Sequence, residues 1–236
     1  MTHEIEILLI TALSIAFLHT ITGPDHYLPI IIMAKVRKWS TIHTLFLTFM
    51  FGLAHVGSSA ILGLIGIAFG IGIHKLTIFE SLRGGIASWM LIAFGIAYFI
   101  WALRRYLKHR PHKHIHYHMD GNAHEHIHTH ELAHSHIHNI DKKNITPWIL
   151  FTVFVMGPCE PLIPLLMYPA AKNSTNGLVM VITVFSIVTI ATMITTVYLA
   201  LRGFEMIKFE RFEKYTNIIA GISIFLTGLI IVAFNL

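Results

Sequence analysis

Apolar residues form long runs along this chain, and most charged residues fall between those runs. The runs with few or no Asp, Glu, Lys or Arg residues are 7–34, 41–70, 84–103, 145–171, 177–201 and 215–236. An α-helix needs about 20 apolar residues to cross a hydrocarbon core of about 30 Å, and each run meets that length. The pattern predicts an all-α integral membrane protein with six transmembrane helices.

The first run is interrupted by polar residues near its middle, where His19, Asp25 and His26 lie. Pro24 has no N–H to donate and disfavours helix at Gly23, so a helix break is predicted at Gly23-Pro24. A charged side chain near the bilayer centre costs at least ~2.5 kcal/mol. The Asp-His pair therefore indicates a functional site, because it would not be tolerated there without a partner.

A segment of the fourth run repeats this interruption. Gly23-Pro24-Asp25-His26-Tyr27-Leu28-Pro29 reappears as Gly157-Pro158-Cys159-Glu160-Pro161-Leu162-Ile163-Pro164, and an apolar run follows each. Transporters built from inverted repeats place their binding sites at broken helices in corresponding positions of the two halves. The sequence therefore predicts two inverted three-helix repeats, 1–104 and 147–236, with breaks at Gly23-Pro24 and Gly157-Pro158.

Further metal-capable side chains lie in the second and fourth runs. His55 is near the middle of its run between small residues, and an imidazole at that depth needs a partner. It is interpreted as a metal ligand, with an interhelical hydrogen bond as the alternative. Cys159 could serve only for packing, whereas Glu160 must pair, carry a proton or bind a cation. The predicted metal site comprises His19, Asp25, His26, His55, Cys159 and Glu160.

The 105–146 segment between the two halves is rich in histidine. Twelve of the 18 histidines lie between His109 and His138, often at alternate positions. Such tracts cannot build a core, so disorder and metal buffering are predicted, with a solvated linker as the alternative. The buffering residues are His112, His114, His116, His118, His124, His126, His128, His130, His134, His136 and His138.

The distribution of positive charge predicts the orientation in the membrane. Of the 17 Lys and Arg residues, 14 follow the first, third and fifth runs, and only Lys75, Arg83 and Lys172 lie in the other two connections. Positive loops stay in the cytoplasm. We therefore expect both termini outside, a cytoplasmic His-rich loop, and residence in a bacterial inner (plasma) membrane. Because the basic residues are scattered, nucleic acid is not an expected partner despite a pI near 9.4.

These motifs resemble those of the nickel/cobalt transporter superfamily. The stretch from His19 to His26 resembles its signature of a histidine followed by an Asp-His pair in an early transmembrane helix. Phe51-Gly-Leu-Ala-His55-Val-Gly-Ser-Ser is similar to its second histidine motif. Gly157-Pro-Cys-Glu-Pro resembles a segment of its urease-accessory-like and sulfite-exporter-like members, and efflux members also carry a His-rich loop. The resemblance implies transport of a metal ion.

The spacing from His19 to Asp25 is one residue longer than in the uptake permeases of that superfamily, and Cys159-Glu160 replaces their later acidic motif. The expected substrate is therefore a divalent transition metal, with Ni or Co first and Zn or Fe as alternatives. Imidazole and carboxylate ligands suit these ions. No organic cofactor and no enzymatic activity are expected.

Three functions are compatible with the sequence. The first is a transporter that works by alternating access through a site at mid-membrane. The second is a membrane-anchored sensor or delivery protein for metalloenzyme assembly, which would make a metallochaperone a partner. The third is a small-anion exporter, although Asp25 and Glu160 would repel its substrate. The sequence leaves a homo-oligomer open, and the lipid bilayer is a partner in every case.

Overall fold

The computed structural model describes residues 3–108, 112–117, 123–128, 146–206 and 215–234. Its helices are α1 (His3–Thr22), α2 (Leu28–Arg37), α3 (Thr41–Ala68), α4 (Ile73–Lys108), α5 (Thr146–Met156), α6 (Leu162–Ala171), α7 (Thr175–Met206) and α8 (Thr216–Phe234). A 3₁₀ turn at Pro24–His26 lies between α1 and α2. Two strands, β1 (His112–Tyr117) and β2 (Ala123–His128), lie between α4 and α5.

Among the described residues, five helices are long and apolar enough to cross a membrane: α1, α3, α4, α7 and α8. Their outer faces carry large apolar side chains such as Phe46, Ile61 and Trp89, which are more than half exposed. Apolar surface of this extent marks a membrane-contacting protein. The predicted helical chain is therefore confirmed, and five of its helices are compatible with a membrane-spanning protein, while the number of six spans stays a prediction.

The two predicted helix breaks are present, and they have the same length. Pro24 follows the end of α1 and Pro158 follows the end of α5, where neither ring nitrogen can continue the helical hydrogen-bond ladder. The second helix begins five residues after Gly23 in one case and five residues after Gly157 in the other. Both α2 and α6 are short helices of 10 residues.

Buried apolar side chains form two clusters, one on each side of the breaks. One cluster includes Ile30 of α2, Phe51 of α3, Phe154 of α5 and Met193 of α7. The other includes Ala16 of α1, Val56 of α3, Leu162 of α6 and Phe185 of α7. Each broken segment therefore passes from one cluster to the other at its break. His55 lies between the two contributions of α3, so the breaks and this histidine share one layer.

The start of the third helix differs from the prediction. The third run was predicted to begin at residue 84, which put Lys75 and Arg83 in a connection, but α4 begins at Ile73 and contains both. Arg83 and Glu80 are buried and form an ion pair three residues apart on this helix. Because each neutralises the other, the helix can begin well before the apolar run does.

The His-rich segment also differs from the prediction where it is described. Helix α4 continues to Lys108, and β1 pairs antiparallel with β2 instead of being disordered. Alternating residues have the two-residue period of a strand, which explains this outcome. The register places three histidine pairs opposite each other: His112 with His128, His114 with His126 and His116 with His124. His118, His130, His134, His136 and His138 lie outside the described residues.

Helices α4 and α8 approach each other closely at two glycines. A Cβ at Gly95 would lie 2.4 Å from the backbone nitrogen of Phe225, and one at Gly221 would lie 2.6 Å from that of Phe99. Small residues allow such backbone contact between membrane helices. This packing holds α4 against the second half of the chain.

Replacing Gly95 with Ala should destabilise the protein, because the added methyl group would collide with α8 backbone rather than with a movable side chain. We expect a loss of about 1–3 kcal/mol, typical of an overpacked interface, measured by thermal unfolding in detergent. Gly85→Ala on the same helix is the control, since a Cβ there meets nothing within 4 Å. Equal stability of the two variants would contradict the close packing of α4 and α8.

Candidate metal centre

The first break folds the His26 side chain back over the backbone. A Cβ at Gly23 would lie 2.5 Å from His26 Nδ1 and 2.9 Å from an Asp25 carboxylate oxygen. Gly23 has φ −86°, so the backbone angle does not require glycine, but the space does. The turn brings His26 back toward His19 in the last turn of α1. Their ring centroids lie 4.8 Å apart.

The partners of His26 determine which of its nitrogens carries hydrogen. Nδ1 lies 3.0 Å from the Gly23 carbonyl oxygen and 3.1 Å from Asp25 Oδ1. Both are acceptors, so Nδ1–H donates and the neutral ring keeps its lone pair on Nε2. A carboxylate on the far nitrogen orients an imidazole and makes it a stronger electron-pair donor.

His55 of α3 is held in the same way by the second break. Its backbone partner is Phe154, whose carbonyl would face Pro158 in a continuous helix and find no N–H there. Gly157 makes room for this contact, since a Cβ at that position would lie 3.2 Å from His55 Nδ1. Because His55 Nε2 faces His26, the nitrogen on the Phe154 side is Nδ1, and donation from it leaves the lone pair of the neutral ring on Nε2.

The two lone pairs point at each other. His26 Nε2 and His55 Nε2 lie 3.2 Å apart in a buried site, with ring centroids separated by 4.7 Å. With both rings neutral and no cation between them, the two acceptors repel. Two nitrogens bound to one tetrahedral ion at 2.0–2.1 Å lie roughly 3.3 Å apart, close to the observed separation.

His19 completes a cluster of three imidazoles. Its Nε2 is buried and has no hydrogen-bond partner, which is rare for a buried polar atom. One ligand atom from each of His19, His26 and His55 lies within 4.8 Å of the others. Metal coordination would use the lone pair that no protein donor reaches.

A small cavity adjoins the cluster. Asp25, His26 and His55 line one side, and Gly84 and Ser88 of α4 lie among the residues that line the rest. Its volume of about 20 Å³ has room for about one water molecule. A dehydrated ion with a single bound water fits this space, whereas a fully hydrated ion does not.

The other predicted site residues lie around this cluster rather than in it. Asp25 is 28% exposed and accepts a hydrogen bond from His26 Nδ1–H, so it orients this histidine and does not belong to the cluster of imidazoles. Cys159 is buried, but among the described residues no thiol or carboxylate joins the three imidazoles. Glu160 is exposed, and it is not among the residues that line the cavity.

A charged network that is not among the predicted site residues lies beside the second break. Glu80 is fully buried and Arg83 is 9% exposed, and the two form an ion pair within α4. Glu80 accepts hydrogen bonds from Ser59 Oγ at 3.0 Å and from the backbone N–H of Cys159 at 3.2 Å. Arg83 donates to Ser58 Oγ at 2.8 Å. Removing one partner of such a pair costs about 3–5 kcal/mol because the other charge stays buried.

A sequence signal for this pair existed. Glu80 and Arg83 have opposite charge, lie three residues apart and immediately precede the glycines at 84 and 85. Residues at this spacing face each other on a helix. The predicted third run begins at residue 84, after this pair, because charged residues usually mark the end of an apolar run.

No protein-family model, no curated protein and no solved structure matches the chain.

Replacing Gly23 with Ala should weaken metal binding by the three histidines. The methyl group would occupy the space of the His26 ring and turn its Nε2 away from His55, and displacing a ligand in this way should cost about 10–100-fold in affinity. The measurement is Co²⁺ ligand-field absorption. Only the absorption that His55→Ala abolishes is counted, which excludes Co²⁺ bound to histidines elsewhere in the chain. Gly57→Ala, which meets nothing within 4 Å, should bind as the native chain does. An unchanged Gly23→Ala signal would contradict the site.

Proposed function

We propose that this chain transports divalent transition-metal ions across the membrane. Ni or Co is the expected substrate, with Zn or Fe as alternatives. His19, His26 and His55 hold the ion after it has lost most of its water, and Asp25 orients His26. The observation that carries the proposal is the pair of facing imidazole nitrogens 3.2 Å apart. The other nitrogen of His26 contacts Asp25 and the Gly23 carbonyl, and His55 contacts the backbone of Phe154.

The chemistry of the ligands supports this class of substrate. Imidazole nitrogen suits Zn, Cu, Fe and Ni, whereas Mg and Ca prefer oxygen ligands. The Asp25 carboxylate partly offsets the charge of a bound divalent ion in a low-dielectric layer. Because it binds His26 rather than the ion, it need not lose a strong bond each time the ion leaves.

The helix contacts support an inverted repeat. Helix α3 packs against α7, and α4 packs against α8, which are equivalent helices of the two halves. Helix α1 packs against α7 as its counterpart α5 packs against α3, and α2 packs against α8 as α6 packs against α4. A two-fold axis between the halves generates such exchanged pairs. The broken segments of both halves would then form one six-span transporter with its site at mid-membrane.

Alternating access follows from this arrangement. The halves rock around the histidine cluster, and the apolar clusters on either side of the breaks separate in turn. The excess of Lys and Arg after the first, third and fifth runs favours a cytoplasmic His-rich segment. There the paired histidines of β1 and β2 would buffer the substrate. This orientation places both termini outside an inner (plasma) membrane.

Replacing His26 or His55 with Ala should abolish most metal flux, because each change removes one imidazole from the ion. The measurement is Ni²⁺, Co²⁺, Zn²⁺ and Fe²⁺ entry into proteoliposomes that contain a metal-sensitive dye. Loss of one ligand should lower the initial rate at limiting metal by about 10–100-fold.

Two variants serve as controls for this experiment. His74→Ala removes an exposed imidazole from α4, and Glu6→Gln removes an exposed carboxylate from α1, so neither should change the rate at limiting metal. Flux that survives both His26→Ala and His55→Ala at the native rate would rule out the proposed site.

A further inference from the structure

The second break removes one helical hydrogen bond, and both the carbonyl and the N–H group of that bond find new partners. In a continuous helix the Val155 carbonyl would accept from the N–H of Cys159, four residues later. Here Arg83 Nη2 donates to the Val155 carbonyl at 2.7 Å, and the Cys159 N–H donates to Glu80 Oε2 at 3.2 Å. Arg83 thus replaces the donor of the lost bond, and Glu80 replaces its acceptor.

Two serines of α3 join this arrangement. Ser59 Oγ accepts from the Cys159 N–H at 3.1 Å and donates to Glu80. Ser58 Oγ accepts from Arg83 and donates to the backbone carbonyl of His55 at 2.9 Å. The pair therefore links α4, the second break and the turn of α3 that carries His55.

The first break is satisfied differently. The Tyr27 hydroxyl donates to the Ile21 carbonyl at 3.1 Å, and the Gly23 N–H donates to the His19 carbonyl at 3.0 Å. These groups lie within the same segment. Only the second break, among the described residues, is held by a buried ion pair from another helix, and it carries the Phe154 carbonyl that holds His55.

We propose that Glu80 and Arg83 are positioning residues of the metal site. They replace the helical bond lost between Val155 and Cys159 and so fix the peptide beside Phe154 against His55. The metal-related part of this inference rests on the proposed function. Without the pair, the break shifts, His55 loses its backbone acceptor, and its Nε2 no longer points steadily at His26.

Cys159 provides a probe that does not depend on metal. It is the only cysteine of the chain, and its side chain is 0% exposed. The test variant combines Glu80→Leu with Arg83→Met, which removes both charges at similar volume and leaves no unpaired charge. Loss of a charge-assisted hydrogen bond should increase local opening, so a membrane-permeable maleimide should label Cys159 about tenfold faster or more.

Two further variants test the mechanism. Glu80→Gln combined with Arg83→Gln keeps an acceptor for Cys159 and a donor for Val155, so its labelling rate should return toward the native rate. Tyr98→Phe removes a different contact of α4, the 2.9 Å hydrogen bond to Asn217, and should label as the native chain does. Equal labelling of the native chain and the Leu/Met double variant would overturn the inference.

The second arm measures Co²⁺ binding through the ligand-field absorption that His55→Ala abolishes. The Leu/Met variant should lose about 10–100-fold in affinity, as expected when residues that orient a metal ligand are changed, and the Gln/Gln variant should recover part of it. Faster labelling with native affinity would overturn the positioning role. Absence of that Co²⁺ signal from the native chain would instead contradict the proposed function, while the labelling rates would still show whether the pair holds the break.

Discussion

Two imidazole lone pairs that face each other across 3.2 Å form the interaction on which the rest of this structure depends. Each ring could relieve the repulsion by rotating, but the acceptors on its other nitrogen prevent this. Asp25 and the Gly23 carbonyl hold His26, and the backbone of Phe154 holds His55. With both rings neutral, the fold therefore maintains two facing acceptors, an arrangement that a shared cation would stabilise.

The two prolines at the breaks free the backbone carbonyl groups that help to hold this arrangement. Pro24 and Pro158 each remove a helical donor, and carbonyl groups near each break become available to side chains. In water such groups would be solvated, but inside a membrane they must find partners within the protein. Here the partners are His55 on α3 and the Arg83 guanidinium on α4. The helix breaks thus provide the backbone acceptors that orient the histidine rings at the site.

Several parts of this arrangement could be predicted from the sequence. Proline chemistry located both breaks, and polar residues in apolar runs pointed to His19, His26 and His55. The role of Asp25 behind His26 could not be predicted, since neighbouring residues can bind one ion or each other and only the turn geometry decides. The metal-binding role of Cys159 and Glu160 remains a prediction, and the structure places both outside the cluster of three imidazoles.

The charged network shows why other parts could not be predicted. Charge is a good marker of a helix end in the membrane only when it is unpaired, and Glu80 with Arg83 is paired. Their partners at Ser59 and Cys159 are distant in sequence, so the spacing along the chain gave no indication of them. The β1–β2 pairing has the two-residue period of the histidines, whereas the His-rich composition by itself indicates disorder.

The most direct test of the shared cation is a double-mutant cycle on metal flux with His26→Gln, His55→Gln and the two combined. If both nitrogens bind one ion, the combined variant should lose little more than either single variant, because the first change already disrupts the site. The account predicts this non-additivity in the apparent affinity for Ni²⁺ or Co²⁺. Losses that multiply independently would show that the two histidines act at separate places and would contradict it.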